Sequence, residues 1–274
     1  VGRDIILGGI DADTIVANFG EYEDDENSQP LGSDDNNIII GDSGYIDWTA
    51  ADTNRVYADT TTATSGTLPG DDSNALDIDR IFSTDPDHGG NDDITTGDGN
   101  DIIIGGEDGE NVVDTIIGVA SDIARTVEST TDGDTIDAGQ GNNLIFGDNG
   151  QITAATQDIE NFAGLPITLG LVETIESLIG GSDTITTGVG RDIILGGIDA
   201  DTIVANFGEY EDDENSQPLG SDDNNIIIGD SGYIDWTAAD TNRVYADTTT
   251  ATSGTLPGDD SNALDIDRIF STDP

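Results

Sequence analysis

Asp183, Asp192 and Asp201 stand nine residues apart, and each is followed two places later by an isoleucine: Ile185, Ile194 and Ile203. The same phase links Asp92 to Asp101 and Asp4 to Asp13, with Ile94, Ile103, Ile6 and Ile15 trailing. It continues from Asp134 to Asn143 with Ile136 and Ile145. Glycines precede these positions, Gly188 and Gly190 before Asp192, Gly196 and Gly197 before Asp201. Glycine allows positive φ and close backbone approach. A glycine turn can therefore aim main-chain carbonyls and the next carboxylate at one point. A hard cation such as Ca2+ takes six to eight oxygens at roughly 2.3–2.6 Å, and two stacked turns could supply them. The candidate ligands are Asp4, Asp11, Asp13, Asp92, Asp98, Asp101, Asp114, Asp134, Asp183, Asp192, Asp199 and Asp201. Asp192 and Asp101 sit in the best-matched turns. Asn37, Asn143 and Asn225 take the acid's place in others, where a neutral amide should leave the turn poor in metal.

The elements that must hold these turns follow from the same spacing. The pattern is G-G-x-G-x-D-x-U-x, with U a large apolar residue, a known signature of calcium-binding parallel β-helices. Strand side chains alternate in direction, so x-U-x predicts a short strand with U in the core. Ile194 then points inward and Ile193 and Leu195 outward. That outer pair is apolar enough to predict a cover, and the longer segments between turns are the available material.

These motifs resemble the RTX family, the hemolysin-type calcium-binding repeats, and especially its giant repetitive surface adhesins and matrix proteins. The closest matches are residues 187–195 and 96–104. The resemblance implies an all-β fold: a parallel β-roll or β-solenoid of calcium-binding nonapeptide turns with β-rich insertions. It also implies folding outside the cell after export. Some turns depart from the pattern. Asp11 and Asp199 replace a loop glycine, which either strains the turn or adds a ligand. Asp101 to Asp114 is thirteen residues, so 107–112 should bulge out.

Residues 1–86 and 189–274 are identical. The chain is thus one repeat unit, 1–188, followed by a second copy cut short at 274, and reads as a window on a longer array. Within the unit two diverged half-modules are expected, with boundaries near 89 and 180. Among the insertions, 44–48, 55–59, 77–84 and 166–177 read as strands and 60–70 as a Thr/Gly/Pro loop. Residues 112–127 fit either an amphipathic helix or a continuation of the nonapeptide phase. The acidic run 21–26 reads as a solvated loop, and Trp48 and Trp236 as packing anchors.

Composition narrows the function classes. The 274 residues carry 58 acids against 7 basic residues, all Arg, for a net charge of −51. Such a chain has no basic stripe to meet nucleic acid, and its natural partners are cations. Saline habitats also favour acidic, lysine-poor chains, but do not require acids in phase beside glycines. No apolar run is long enough to span a membrane. There is no Cys and one His, His88, so common nucleophile–base pairs are missing. No zinc-protease, P-loop or EF-hand spacing occurs. The sequence therefore predicts a secreted or cell-surface structural extender, filament or matrix module, not an enzyme. Its expected partners are other copies of the repeat, head to tail or in one polypeptide, and a surface or glycan ligand. The alternatives are a ligand-binding adhesin module and the folding or secretion aid of a secreted hydrolase.

Overall fold

The computed structural model describes residues 3–17, 36–48, 55–58, 65–68, 77–86, 88–108, 133–155, 161–205, 225–236, 243–247, 252–256 and 268–271. The x-U-x triplets form three-residue strands sorted into two parallel sheets. The first contains, in spatial order, β1 (Ile5–Leu7), β3 (Ile38–Ile40), β9 (Ile102–Ile104), β11 (Leu144–Phe146), β15 (Ile193–Leu195) and β17 (Ile226–Ile228). The second contains β2 (Thr14–Val16), β8 (Asp93–Thr95), β10 (Thr135–Asp137), β14 (Thr184–Thr186) and β16 (Thr202–Val204). One strand from each sheet makes a rung of a solenoid.

Register is set by the U residues. Ile6, Ile39, Ile103, Ile145, Ile194 and Ile227 align across the first sheet. Ile15, Ile94, Ile136, Ile185 and Ile203 align across the second. Most of these isoleucines face one another in a thin core between the sheets, where Ile39, Ile94, Ile103, Ile145, Ile185 and Ile194 are fully buried. Period-two alternation makes any one-residue slip costly, because it would swap this file for its flanking residues.

The two outer faces differ. On the second sheet the flanking Thr14, Asp93, Thr135, Thr184 and Thr202 are exposed. On the first sheet Ile38, Ile40, Ile102, Ile104, Leu144 and Phe146 are fully buried. A third layer covers them, an antiparallel sheet of β4 (Gly44–Asp47), β7 (Arg80–Ser83), β12 (Gly150–Ala154), β13 (Leu169–Thr174), β18 (Gly232–Asp235) and β21 (Arg268–Ser271). Ile78, Ile81, Ile152, Leu165, Ile167, Val172, Ile234 and Trp236 pack down onto the first sheet. The expected cover is therefore present, and it is built from the insertions. Three insertions each contribute one antiparallel pair to the cover, β4 with β7, β12 with β13 and β18 with β21, and β7 pairs β12 while β13 pairs β18. The cover thus runs unbroken along the stack.

Two expectations need correcting. Residues 60–70 are not all loop: β6 (Ser65–Leu68) pairs with β5 (Arg55–Ala58). Thr and a Gly opposite Tyr57 suit a β-ribbon, and the count of turn-forming residues hid it. The second copy repeats the pairing with β19 (Arg243–Asp247) and β20 (Thr252–Leu256). Glu107 and Asp108, the first residues of the stretch expected to bulge, are buried, 4% and 3% exposed, and 109–112 lie outside the described residues. Trp236 is a core anchor, whereas Trp48 is 39% exposed. Residues 21–26 and 112–127, with Asp114, lie outside the described residues.

Truncating the inner file should be costly and truncating the open face should not. Ile145→Ala should lose about 2–5 kcal/mol of calcium-loaded stability in urea unfolding. Thr135→Ala, on the exposed face, should stay within about 0.5 kcal/mol.

Candidate metal centre

The loops that carry the chain from the first parallel sheet to the second line one edge of the solenoid. Asp13, Asp92, Asp134, Asp183 and Asp201 sit there, one per rung, each just before its strand. Their main chains and carboxylates form a ladder. Asp92 Oδ1 accepts the Asp13 N–H at 2.8 Å, and Asp134 Oδ1 accepts the Asp92 N–H at 2.7 Å. Asp183 Oδ1 takes the Asp134 N–H at 2.8 Å, and Asp201 Oδ1 the Asp183 N–H at 2.9 Å. One oxygen of each carboxylate is thereby fixed. The other, Oδ2 of Asp92, Asp134, Asp183 and Asp201, is buried with no hydrogen-bond partner.

These orphaned oxygens converge on glycine carbonyls. A side chain on Gly105 would collide with Asp134 Oδ2 and the Gly147 carbonyl oxygen. On Gly147 it would meet Asp183 Oδ2 and the Gly196 oxygen; on Gly41, Asp92 Oδ2 and the Gly105 oxygen. Gly196 repeats the arrangement with Asp201 Oδ2 and the Gly229 oxygen. The edge is a column of oxygen-lined cradles, each between two successive rungs and each kept open by a missing Cβ.

Further acids crowd this edge. Single carboxylate oxygens of Asp108, Asp134 and Asp183 all lie within 4.8 Å of one another, and all three residues are buried. Both oxygens of Asp108 lack a hydrogen-bond partner. Asp148 is different, because its carboxylate is spoken for. It accepts the Gly181 N–H at 2.9 Å and the Ile198 N–H at 2.5 Å, tying the base of its own insertion to the next rung. Asp42 does the same with the Gly90 and Glu107 N–H groups at 3.2 and 2.6 Å. Room for them comes from the following rung, where a side chain on Gly106 or Gly197 would strike Asp42 or Asp148. Both glycines have left-handed φ, 128° and 124°.

Buried like charges hold protons. Burial pushes the Asp92 and Asp201 carboxyls up to about 6 and Asp42 up to about 8, with Asp92 and Glu107 repelling Asp42 further. Asp134, Asp148 and Asp183 are raised well above the usual carboxylate range, first by burial, and then by Asp108 and Asp183 repelling Asp134 and Asp148, and by Asp108 and Asp201 repelling Asp183. Asp108 is lifted to about 7, chiefly by burial. A divalent cation supplies the missing countercharge, and the donor set is all oxygen, as calcium prefers. The residues fit the ion.

The opposite edge, carrying the chain back to the first sheet, is chemically distinct. There Asp4, Asn37, Asp101, Asn143, Asp192 and Asn225 follow one another up the stack. Each side-chain Oδ1 accepts the N–H of the preceding member, at 2.6–3.1 Å. Beside it runs an amide ladder, in which Asn36 accepts from Asn100 N–H, Asn100 from Asn142 N–H and Asn142 from Arg191 N–H.

Of the twelve acids singled out by spacing, the structure gathers Asp13, Asp92, Asp134, Asp183 and Asp201 on the glycine-carbonyl edge. It puts Asp4, Asp101 and Asp192 on the other edge. Asp98 lies in a turn there, accepting from Gln140 N–H at 3.3 Å. Asp11 and Asp199 are exposed, and Asp199 takes φ 71°, the strained conformation its glycine-like position demands. Asp42, Asp108 and Asp148 were missed. The repeated Gly41-Asp42 and Gly147-Asp148 pairs were the available signal.

Four stretches of the chain match the family model of the RTX calcium-binding nonapeptide repeat: residues 1–21, 88–114, 126–151 and 179–209. They contain the acids of both edges except Asp42, and these repeats bind calcium. No curated protein and no solved structure matches the chain.

Two outcomes are expected. Asp108→Asn should weaken calcium binding at its cradle at least about tenfold, or ~1.4 kcal/mol, read by calorimetric titration. In calcium-free protein the raised carboxyls bind protons more tightly folded than unfolded. Stability is therefore fully present below the ordinary carboxylate range near 3.8 and lost as pH rises through about 6 to 8. Circular dichroism of metal-stripped protein should gain β signal on acidification from pH 8 toward 4.5, whereas calcium-loaded protein should not.

Proposed function

We propose that this chain, an RTX repeat protein built from calcium-binding nonapeptides, serves as a structural extender, filament or matrix module of a secreted protein. Calcium is its folding partner. One bound ion per cradle neutralises carboxylates that two successive rungs present to each other, so metal affinity becomes folding free energy. Asp92, Asp134, Asp183 and Asp201 hold the ion with the glycine carbonyls of adjacent rungs. Without it, the net charge of −51 and a thin core leave the chain close to the composition of disordered proteins.

The observation that carries the reading is the stacking of identical sequence. Residues 1–86 and 189–274 are the same. β1 and β15 hold corresponding places in the first sheet, as do β4 and β18 in the cover. The 188-residue unit contributes β1, β3, β9 and β11, four rungs, before the pattern resumes. Solenoid rungs contact chiefly their neighbours, so further units lengthen the rod without a new core. The role as an extender needs no catalytic constellation and no membrane segment. Other copies of the unit, in the same polypeptide or docked end to end, are the natural partners, and the outside of the cell is the calcium-rich compartment this chemistry needs.

Small-angle scattering on proteins carrying one, two and three added units tests this. In calcium each unit should add about 19 Å of length, four rungs at ~4.8 Å. In excess chelator all should expand and lose their β circular dichroism. A chain that keeps its full β signal in chelator, or whose length does not grow with unit number, would refute the reading.

A further inference from the structure

We infer that calcium binds along one edge of the solenoid only, and that the opposite edge is a metal-free ladder that fixes rung order by alternating acid and amide. This rests on the calcium reading above and goes beyond it, because the nonapeptide phase by itself treats both edges alike. The two edges differ in three independent respects.

First, the glycines differ. Cβ atoms on Gly41, Gly105, Gly147 and Gly196 would run into a carboxylate oxygen as well as a carbonyl. On the other edge, Gly139, Gly141 and Gly190 meet only main chain of the adjacent rung, and Gly188 meets main chain and the Gln140 side chain. No carboxylate oxygen is among the atoms nearest to them, as one is at Gly41, Gly105, Gly147 and Gly196.

Second, both oxygens of the Asp192 carboxylate are already bonded by protein. Asp192 Oδ1 accepts from both the main-chain N–H and the side-chain amide of Asn143, at 3.0 and 3.1 Å, and its Oδ2 accepts the Thr187 hydroxyl at 2.7 Å. Asp101 Oδ1 accepts the same two groups of Asn37, at 2.6 and 3.0 Å. Asp101 Oδ2, by contrast, is buried with no hydrogen-bond partner, and burial pushes this carboxyl up to about 6.

Third, the sequence alternates. Asp4, Asn37, Asp101, Asn143, Asp192 and Asn225 never place two acids on adjacent rungs. Asn37 and Asn143 each donate to the acid above, and Asn37, Asn143 and Asn225 each accept the N–H of the acid residue below. A cation is unnecessary where every second charge is replaced by a donor. The neighbouring ladder of Asn36, Asn100 and Asn142 strengthens this, with Asn36 and Asn100 both donating to the Ala163 carbonyl of the insertion turn. A slip by one rung would set Asp against Asp and amide against amide. The alternation thus admits one stacking order, the same order in which Asp42 and Asp148 each lie over a glycine of the next rung.

Native mass spectrometry of the calcium-loaded chain tests the inference by counting ions. The Asp101→Asn/Asp192→Asn double variant should hold as many ions as the original chain, whereas Asp134→Asn/Asp183→Asn should hold fewer. Loss of ions from the first variant would overturn the inference. Crystals of the unaltered protein soaked in terbium give a reading independent of whether either variant folds. Anomalous peaks should line the Asp92–Asp134–Asp183–Asp201 edge, and a peak beside Asp101 or Asp192 would overturn it. Absence of any bound ion in the unaltered protein would instead overturn the calcium reading on which this one rests.

Discussion

The structure depends on one electrostatic problem: successive rungs set buried carboxylates face to face along a single edge. Asp92, Asp134, Asp183 and Asp201 each spend one oxygen on a neighbour's N–H and leave the other unpartnered and buried. An ionised carboxylate in that position is expensive unless paired. The chain holds only seven basic residues, all Arg, against 58 acids, so it has almost no cations of its own to offer. An external divalent ion would solve the problem for each pair of rungs at once, with the glycine carbonyls available to complete its oxygen shell.

The remaining architecture follows from rungs only three residues wide. A strand such as Ile193–Leu195 puts a single side chain into the inner core and two onto the outer face. The inner file of isoleucines is too thin to hold a stack together alone. The antiparallel cover adds a second apolar layer, from Ile38 to Trp236, and pairs strand to strand along the stack. Asp42 and Asp148 couple the layers, since each fastens the base of its insertion to the loop of the next rung. Metal edge, core and cover therefore propagate in the same direction and by the same step.

Much of this was legible in residue spacing. The nine-residue phase placed every strand of the solenoid in the matched turns, and the apolar flanks of Ile194 foretold a covered face. Asn37, Asn143 and Asn225 stood out as breaks in the run of acids. Their bonds to Asp101 and Asp192 did not, because spacing within one nonapeptide is silent about which residue of another rung lies above it. The long insertions hid the rest. Asp108 falls outside the nonapeptide phase, and its value comes from Asp134 and Asp183, which the fold brings to it from 26 and 75 residues away. Strand Ser65–Leu68 was concealed by turn-forming composition, a local propensity overridden by pairing with Arg55–Ala58.

Amide hydrogen exchange with and without calcium tests most directly whether metal is the missing countercharge that allows rungs to stack. In calcium, the main-chain amides of Thr135, Leu144, Thr184 and Ile193, all bonded to the rung beside them, should be among the slowest to exchange. On calcium removal at neutral pH their protection should collapse together, on both edges and in both sheets. Equal protection of these amides in calcium and in chelator would contradict it.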